Sequence, residues 1–360
     1  MSLITINENG FLDEIKGKKG LFSCVISSIE TTKYVPISGV HRDVIAYTPA
    51  ADMELVVLGK SICLPTPPID ATGCPSPATI TRACVDLKNI PALTIDAGCF
   101  VKPNVPYIKV NENPTGDIRK GKAMKNSKEL FEKGYTLGKN LIYDCLIVGE
   151  SVPGGTTTAL GVLIGLGYDA EGKVSSGSVN NPHELKMEVV RSGLKSAKIE
   201  IGKSSVFDVL NAVGDTMMPT VAGMAIAAVE NKKPVILAGG TQMAAVLAVI
   251  KEINKDAIKS GLISIGTTEF VLNDKNADLK GIVEQIGDVP ILASKFYYEK
   301  AKIDGLRAYC RGSVKEGVGA GGIAAYAYIN GLKPDDVRRY VENNYYRWYK
   351  NIINMEINKE

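Results

Sequence analysis

Residues 141–168, LIYDCLIVGESVPGGTTTALGVLIGLGY, hold the densest set of groups that could do chemistry. An apolar run, Leu141 to Val148, stops at Gly149. A loop of Gly, Pro and Ser follows, with one acid, Glu150, and the pair Gly154 and Gly155. Three threonines, Thr156, Thr157 and Thr158, then open a second apolar run. A strand, a glycine loop and a hydroxyl-rich helix start form a phosphate cradle. Amides at a helix N-terminus lack intrahelical partners and carry partial positive charge. Glycine lets a ligand approach that backbone closely. The same pattern also fits a plain strand-to-helix turn capped by threonines. A nucleotide-triphosphate loop is excluded, because that motif ends in G-K-[ST]. Here Gly155 follows Gly154 where the lysine belongs.

A second acid stands among glycines near the C-terminus, in KEGVGAGGIAAYAYING. Glu316 precedes Gly317, Gly319, Gly321 and Gly322. A ligand meets little steric obstruction there. Partial desolvation would raise the acid's pKa toward neutrality, which suits a general base. The alternative is a helix-terminal Glu with glycines for close packing. His41 and His183 are the two histidines, and neither has a second ligand at metal-site spacing. His183, in NNPHELK, reads as a first-turn helix residue, and His41, in SGVHRDV, as a loop residue that could line a site. No metal and no cofactor are expected. The seven cysteines contain no C-x-x-C pair, and several, such as Cys24 and Cys145, lie in apolar contexts, as small buried hydrophobes do.

These groups need elements to hold them. Apolar runs that end in small residues recur at 21–29, 54–58, 92–96, 141–148, 234–237 and 262–265. Helical patterns are interleaved with them. The last two runs end in Gly239-Gly240-Thr241 and Gly266-Thr267. Runs without alternation, separated by helices, predict an α/β fold: a parallel sheet with helices on both faces, in a Rossmann-like three-layer arrangement. Ligands in such sheets bind beyond the carboxyl ends of the strands. The segment 61–79 is Pro-rich and reads as an ordered loop that crosses the surface or rims a site. Residues 127–138 read as a helix. After Lys333, Pro334 and the acids Asp335 and Asp336 mark a helix start. Val337, Val341, Tyr345, Trp348 and Ile352 fall on one face of that helix, as core or as a subunit contact. The expected division is an α/β domain over 51–330, with 1–50 and 331–360 forming a smaller, partly helical subdomain.

Composition bounds the partners. Of 360 residues, 45% are hydrophobic and 22% charged, which are globular values. The net charge is +3, and no basic cluster interleaves with aromatics, so nucleic-acid binding is not expected. The longest apolar stretches, 159–166 and 221–229, are too short to span a bilayer. The N-terminus lacks the apolar core of a signal peptide. A soluble, cytoplasmic protein is expected.

Together these motifs resemble the nicotinate-nucleotide:dimethylbenzimidazole phosphoribosyltransferase family of cobamide biosynthesis. The resemblance covers most of 54–330. It is sharpest at Gly149-Glu150 to Thr158, at Pro234 to Ile250, and at Glu316-Gly317-Val318-Gly319-Ala320, which matches the family's E-G-x-G-A motif. Weaker echoes are Ala123-Met124 and Val213-Gly214-Asp215 to Gly223. YTPAADMELVVLG at 47–59 marks the archaeal and cyanobacterial branch. The resemblance implies phosphoribosyl transfer from nicotinate mononucleotide to an aromatic base, with inversion, by a homodimer. It implies Glu316 as the general base and Glu150 as a stabiliser of the ribosyl cation or a proton positioner. It places the donor phosphate on Gly154 to Thr158, with Gly239, Gly240, Thr241, Gly266 and Thr267 around the ribose and phosphate. Bacterial members carry Asn where Gly155 stands and Arg where Ser313 stands; Arg311 and Lys315 are the nearby substitutes for that arginine. A nucleoside hydrolase or phosphorylase, and a non-catalytic nucleotide sensor, are the competing readings.

Overall fold

The computed structural model describes residues 2–357, with side chains to Tyr349. Eight strands form one sheet: β1 (Leu3–Ile6), β2 (Gly20–Ile26), β3 (Ala92–Asp96), β4 (Tyr107–Lys109), β5 (Cys145–Ser151), β6 (Val235–Ala238), β7 (Ile263–Thr268) and β8 (Ile291–Ser294). Their order is β1-β8-β7-β6-β5-β2-β3-β4. All neighbours are parallel except β1, which pairs antiparallel with β8. Helices cover both faces, as the apolar runs predict.

Alternate residues of the central strands feed two cores. Val25, Leu146 and Val148 face one, with the helices Gly155–Gly165 and Thr241–Ile253. Cys24, Ile26, Cys145 and Ile147 face the other, with Thr48–Leu58, Ala78–Lys88 and Ala320–Ile329. The chain runs outward from β2 through β3 to β4. It then returns to the other side of β2 as β5 and continues away through β6, β7 and β8. The strand order therefore reverses between β2 and β5. In parallel sheets such a reversal opens a crevice at the carboxyl edge, because the two connections leave toward opposite faces.

Two expectations change, and one open alternative is decided. The run 54–58 is not a strand. It is the end of the helix Thr48–Leu58, and Gly59 is its left-handed cap at φ 71°. Thr48 to Val56 are all buried, so this helix shows no polar face and its sequence lacks helical period. The N-terminal segment is not set beside the sheet, because β1 and β2 lie within it and β2 is central. The stripe on the helix Pro334–Ile357 is core within this chain. Val337, Val341, Tyr345 and Trp348 are buried, and Trp348 Nε1 donates to Gly59 O at 2.9 Å. The Ile352 side chain lies outside the described residues. Trp348→Ala should therefore cost about 3–5 kcal/mol of stability in urea unfolding. The particle mass in light scattering should stay unchanged.

Candidate active site

A cleft opens where the strand order reverses. Its walls come from the loop after β2 (37–40), the start of the helix Thr48–Leu58, the loop 68–77, the loop after β5 (150–156), the loop 175–177, the turn after β6 (240–242) and the turn 314–318. In the sheet, Glu150 pairs with Val25 and Ser151 with Ile26, so an acid and a hydroxyl at the end of β5 reach the cleft floor.

Glu150 is buried, and its Oε2 accepts hydrogen bonds from Val152 N at 3.0 Å and Gln242 Nε2 at 2.9 Å. Burial pushes its pKa up to about 8, and the charges of Asp215 and Glu316 add to the rise. Gly155 has to be glycine for this contact. A Cβ there would stand 2.2 Å from Gln242 Nε2 and displace the amide from Glu150. Gly154 turns the chain into the helix at φ 86°. The Thr156 amide lies in the first turn, where no intrahelical acceptor is in reach.

Glu316 lies on the turn 314–318, which also lines the cleft. Its Oε1 accepts from Gly317 N at 3.2 Å and Gly321 N at 3.1 Å, and its Oε2 accepts from Thr267 Oγ1 at 3.3 Å. Burial lifts its pKa to about 7 against these donors. The turn that carries it is unusual. Val314, Lys315 and Val318 have φ of 60°, 56° and 54°, in the left-handed region that β-branched residues avoid. Val318 N donates to Glu150 O at 2.7 Å, which binds this turn to the end of β5. Gly321 must lack a side chain, since its Cβ would lie 1.9 Å from Thr267 C. The glycines after Glu316 thus serve both an open approach at Gly317 and close packing at Gly321.

The residues singled out in the sequence divide into two groups. Glu150, Gly154, Gly155, Thr156, Gly240, Thr241, Glu316 and Gly317 line the cleft. The others stand behind it. Thr157 and Thr158 are buried, and Thr158 donates to Asp215. Asp215 also accepts the amides of Met217 and Met218 at 3.1 and 3.3 Å, and burial raises its pKa to about 6. Gly239 lies beside Glu150 Oε1, Thr267 holds Glu316, and Gly266 and Gly319 pack against Gly322 and Gly149. His41 is exposed and faces Asp43 at 3.6 Å, away from the lining. Arg311 is exposed and held by Asp304 at 2.9 Å, whereas Lys315 lines the cleft.

Two groups were not foreseen. Asp52 is buried in the cleft, where Ser76 Oγ donates to its Oδ1 at 2.6 Å and Ser151 Oγ to its Oδ2 at 2.7 Å. Burial lifts its pKa to about 6. An acid inside the apolar run TPAADMELVV was the available signal. Lys186 is fully buried under the loop 175–177 and donates to Ser175 O at 2.8 Å and Asn181 Oδ1 at 3.0 Å. Burial, helped by the charge of Lys315, lowers its pKa to about 7. Its position in a polar helix reads as surface, so the sequence offered no signal.

A carboxyl whose folded pKa is raised contributes most when protonated. The contribution of Glu150 is complete below about pH 4.5 and is lost as pH rises through about 8. Glu150→Gln keeps the shape without the charge. It should raise stability at about pH 8.5, by a few kcal/mol at most, and change it little near about pH 4.5. Thermal unfolding at the two pH values measures this.

A family model described as phosphoribosyltransferase (DBI_PRT) matches residues 80–267. The UPF0284 protein of Methanocaldococcus jannaschii is 73% identical over 350 residues, covering 97% of this chain and all of its own. The UPF0284 protein of Methanothermobacter thermautotrophicus is 43% identical, covering 92% and 94%. The fold is similar to the crystal structure of nicotinate-nucleotide-dimethylbenzimidazole phosphoribosyltransferase from Thermus thermophilus. The TM-score is 0.62 at 14% identity, covering 92% of this chain and 89% of that one. No helix among the described residues is long and apolar enough to cross a membrane. A cleft of glycine turns and buried acids at the strand reversal, a matching family model and near full-length relatives lead to one assignment: the chain belongs to the phosphoribosyltransferase family and to its archaeal UPF0284 branch.

Proposed function

We propose that the chain transfers the phosphoribosyl group of nicotinate mononucleotide to a ring nitrogen of a benzimidazole-type base. The product is an α-ribazole-phosphate-like nucleotide for the lower ligand of a cobamide. The observation that carries this reading is one cleft that joins a glycine-opened helix N-terminus to carboxyls buried across from it. The solved structure that shares the fold is named for this reaction.

The donor phosphate rests on the amides of Gly154 and Thr156, while the Gly155 amide holds the loop by donating to Val152 O. Gly240 and Thr241 flank the ribose. Gly239, Gly266, Thr267 and Gly319 hold the frame from behind, and Thr157, Thr158 and Asp215 brace the phosphate loop. The base attacks the anomeric carbon from the face opposite nicotinate. The bond to the pyridinium nitrogen breaks, its electron pair stays with nicotinate, and the β linkage becomes α. Glu150 stands near the ribosyl centre, where growing positive charge favours its ionised form.

The proton of the attacking base has two candidate acceptors. The family motif assigns it to Glu316. The contacts favour Asp52. Glu316 already accepts two amides and a hydroxyl, which fix it to its turn. Asp52 accepts two rotatable hydroxyls, one per oxygen, so each oxygen retains a lone pair for substrate. With a pKa of about 6 it is mostly ionised at neutral pH, as a base must be. Glu316 then positions the ring and the turn around it. The homodimer that the resemblance implies would use a surface other than the buried 337–348 stripe.

Turnover of nicotinate mononucleotide with a panel of bases, followed by NMR of the anomeric linkage, tests the reaction. Absence of an α-nucleotide with every base would sink it. Asp52→Asn should lower kcat by about two orders of magnitude or more with little change in donor affinity. The wild-type kcat/KM should rise with pH through about 6. A full-activity Asp52→Asn beside an inactive Glu316→Gln, and a rise near about 7, would return the role to Glu316. Separately, Gly155→Asp sets a carboxylate against the phosphate and displaces Gln242. It should weaken mononucleotide binding at least about tenfold in calorimetry, while free nicotinate binds as before.

A further inference from the structure

The loop 68–77 supplies Ser76, whose Oγ donates to Asp52 Oδ1 at 2.6 Å. Apart from one bridge between Ile69 and Pro75, the loop has no regular structure. Pro68, Pro75 and Pro77 have no N–H, so the loop carries more acceptors than donors. Donors come from outside. Tyr309 OH donates to Pro75 O at 2.7 Å, Tyr345 OH to Gly73 O at 2.9 Å and Tyr349 OH to Pro68 O at 3.3 Å. Tyr345 and Tyr349 belong to the helix Pro334–Ile357, and Tyr309 to the helix Asp304–Cys310. Tyr309 and Tyr349 are each 1% exposed, and neither lines the cleft. A buried phenol needs some acceptor, and scattered ones would serve packing alone. These converge on one loop. Two of them hold the carbonyls next to Ser76: Pro75 precedes it in the chain, and Pro68 O accepts its amide at 2.9 Å.

We propose that Tyr309 and Tyr349 are positioning residues, which hold the loop 68–77 so that Ser76 orients Asp52 toward the attacking base. This rests on the reading of Asp52 as the proton acceptor. The Ser76 hydroxyl rotates, but its oxygen stands where the loop puts it. The other donor to Asp52, Ser151, comes from the sheet and does not depend on the loop. Loosening the loop therefore frees Oδ1 and leaves Oδ2 held, and the carboxylate loses its aim. Donation from Ser76 favours the ionised form, so its loss raises the pKa of Asp52 from about 6. Cys24 and Tyr349 also feel the Asp52 charge, and burial keeps both neutral in that range. Glu316 and Glu150, in the same cleft, titrate higher, at about 7 and about 8, and Asp70 is on the loop itself.

The test is steady-state kinetics of Tyr309→Phe combined with Tyr349→Phe, with nicotinate mononucleotide and the best base of the panel. The kcat should fall about tenfold or more, with donor KM within about twofold of wild type. The rise of kcat/KM through about 6 should move to higher pH. Ser76→Ala should reproduce both changes. Added to the tyrosine pair it should lower kcat no further, because all three act through one contact. Tyr340→Phe removes a hydroxyl of the same helix that goes to Asp86 Oδ2, and should match wild type. If the pair does not fold, Tyr309→Phe alone carries the same expectations. A wild-type kcat in the pair, losses that add with Ser76→Ala, or a pH rise that stays or moves down overturns the proposal. An equal loss in Tyr340→Phe overturns it too, since the effect is then one of stability. The underlying reading fails separately: full activity in Asp52→Asn, or no α-nucleotide from the wild-type chain, removes the base and the proposal with it.

Discussion

Four acids, Asp52, Glu150, Asp215 and Glu316, are gathered at the carboxyl edge of one sheet, each with its pKa raised by burial. That is the constraint on which the rest of the site depends. Buried carboxyls cannot all ionise without mutual repulsion, so each must be protonated, hydrogen-bonded, or met by a cation. The surrounding chain supplies these remedies in different ways. Asp215 receives two helix-start amides and a hydroxyl, Glu150 an amide and Gln242, Glu316 two amides and a hydroxyl, and Asp52 two hydroxyls. The acid held by the most mobile donors is the one best able to exchange them for a substrate.

This gathering is possible because the strand order reverses between β2 and β5. Connections leave that point toward both faces of the sheet. The helix start that suits a phosphate lies on one face, and the elements carrying Asp52, Ser76 and Glu316 on the other. A donor bound on the first side and a base on the second would meet across the strand ends. Holding two reactants in register is a large part of what such a cleft can contribute, since alignment replaces a bimolecular encounter.

Close approach sets the remaining terms. The turn 314–318 reaches the end of β5 through Val318 N and Glu150 O, and the following helix lies on β7 at a distance that excludes a Cβ at Gly321. Left-handed backbone at Val314, Lys315 and Val318 is tolerated because these contacts fix the turn from several sides. The glycines are therefore read in two ways at once. Some admit a ligand, and others admit only the neighbouring backbone.

The sequence by itself determined the parallel strands β2, β3, β5, β6 and β7 and pointed to a cleft at their carboxyl ends, because apolar runs ending in small residues are local patterns, whereas β1, β4, β8 and the antiparallel edge came only with the tertiary structure. Glu150, Gly154, Gly155, Thr156, Gly240, Thr241, Glu316 and Gly317 were legible for the same reason. The helix Thr48–Leu58 was not. Burial on all sides removes the periodicity by which helices are recognised, and with it the setting of Asp52. Lys186 sits in a helix whose other lysine, Lys195, is exposed, and only packing under the serine loop distinguishes it. Thr157 and Thr158 differ from Thr156 by rotation around the helix alone, which the tertiary structure decides by choosing the face that meets the core. The Trp348 stripe likewise could have met another chain or its own. Its contact with Gly59, far away in sequence, decided for its own.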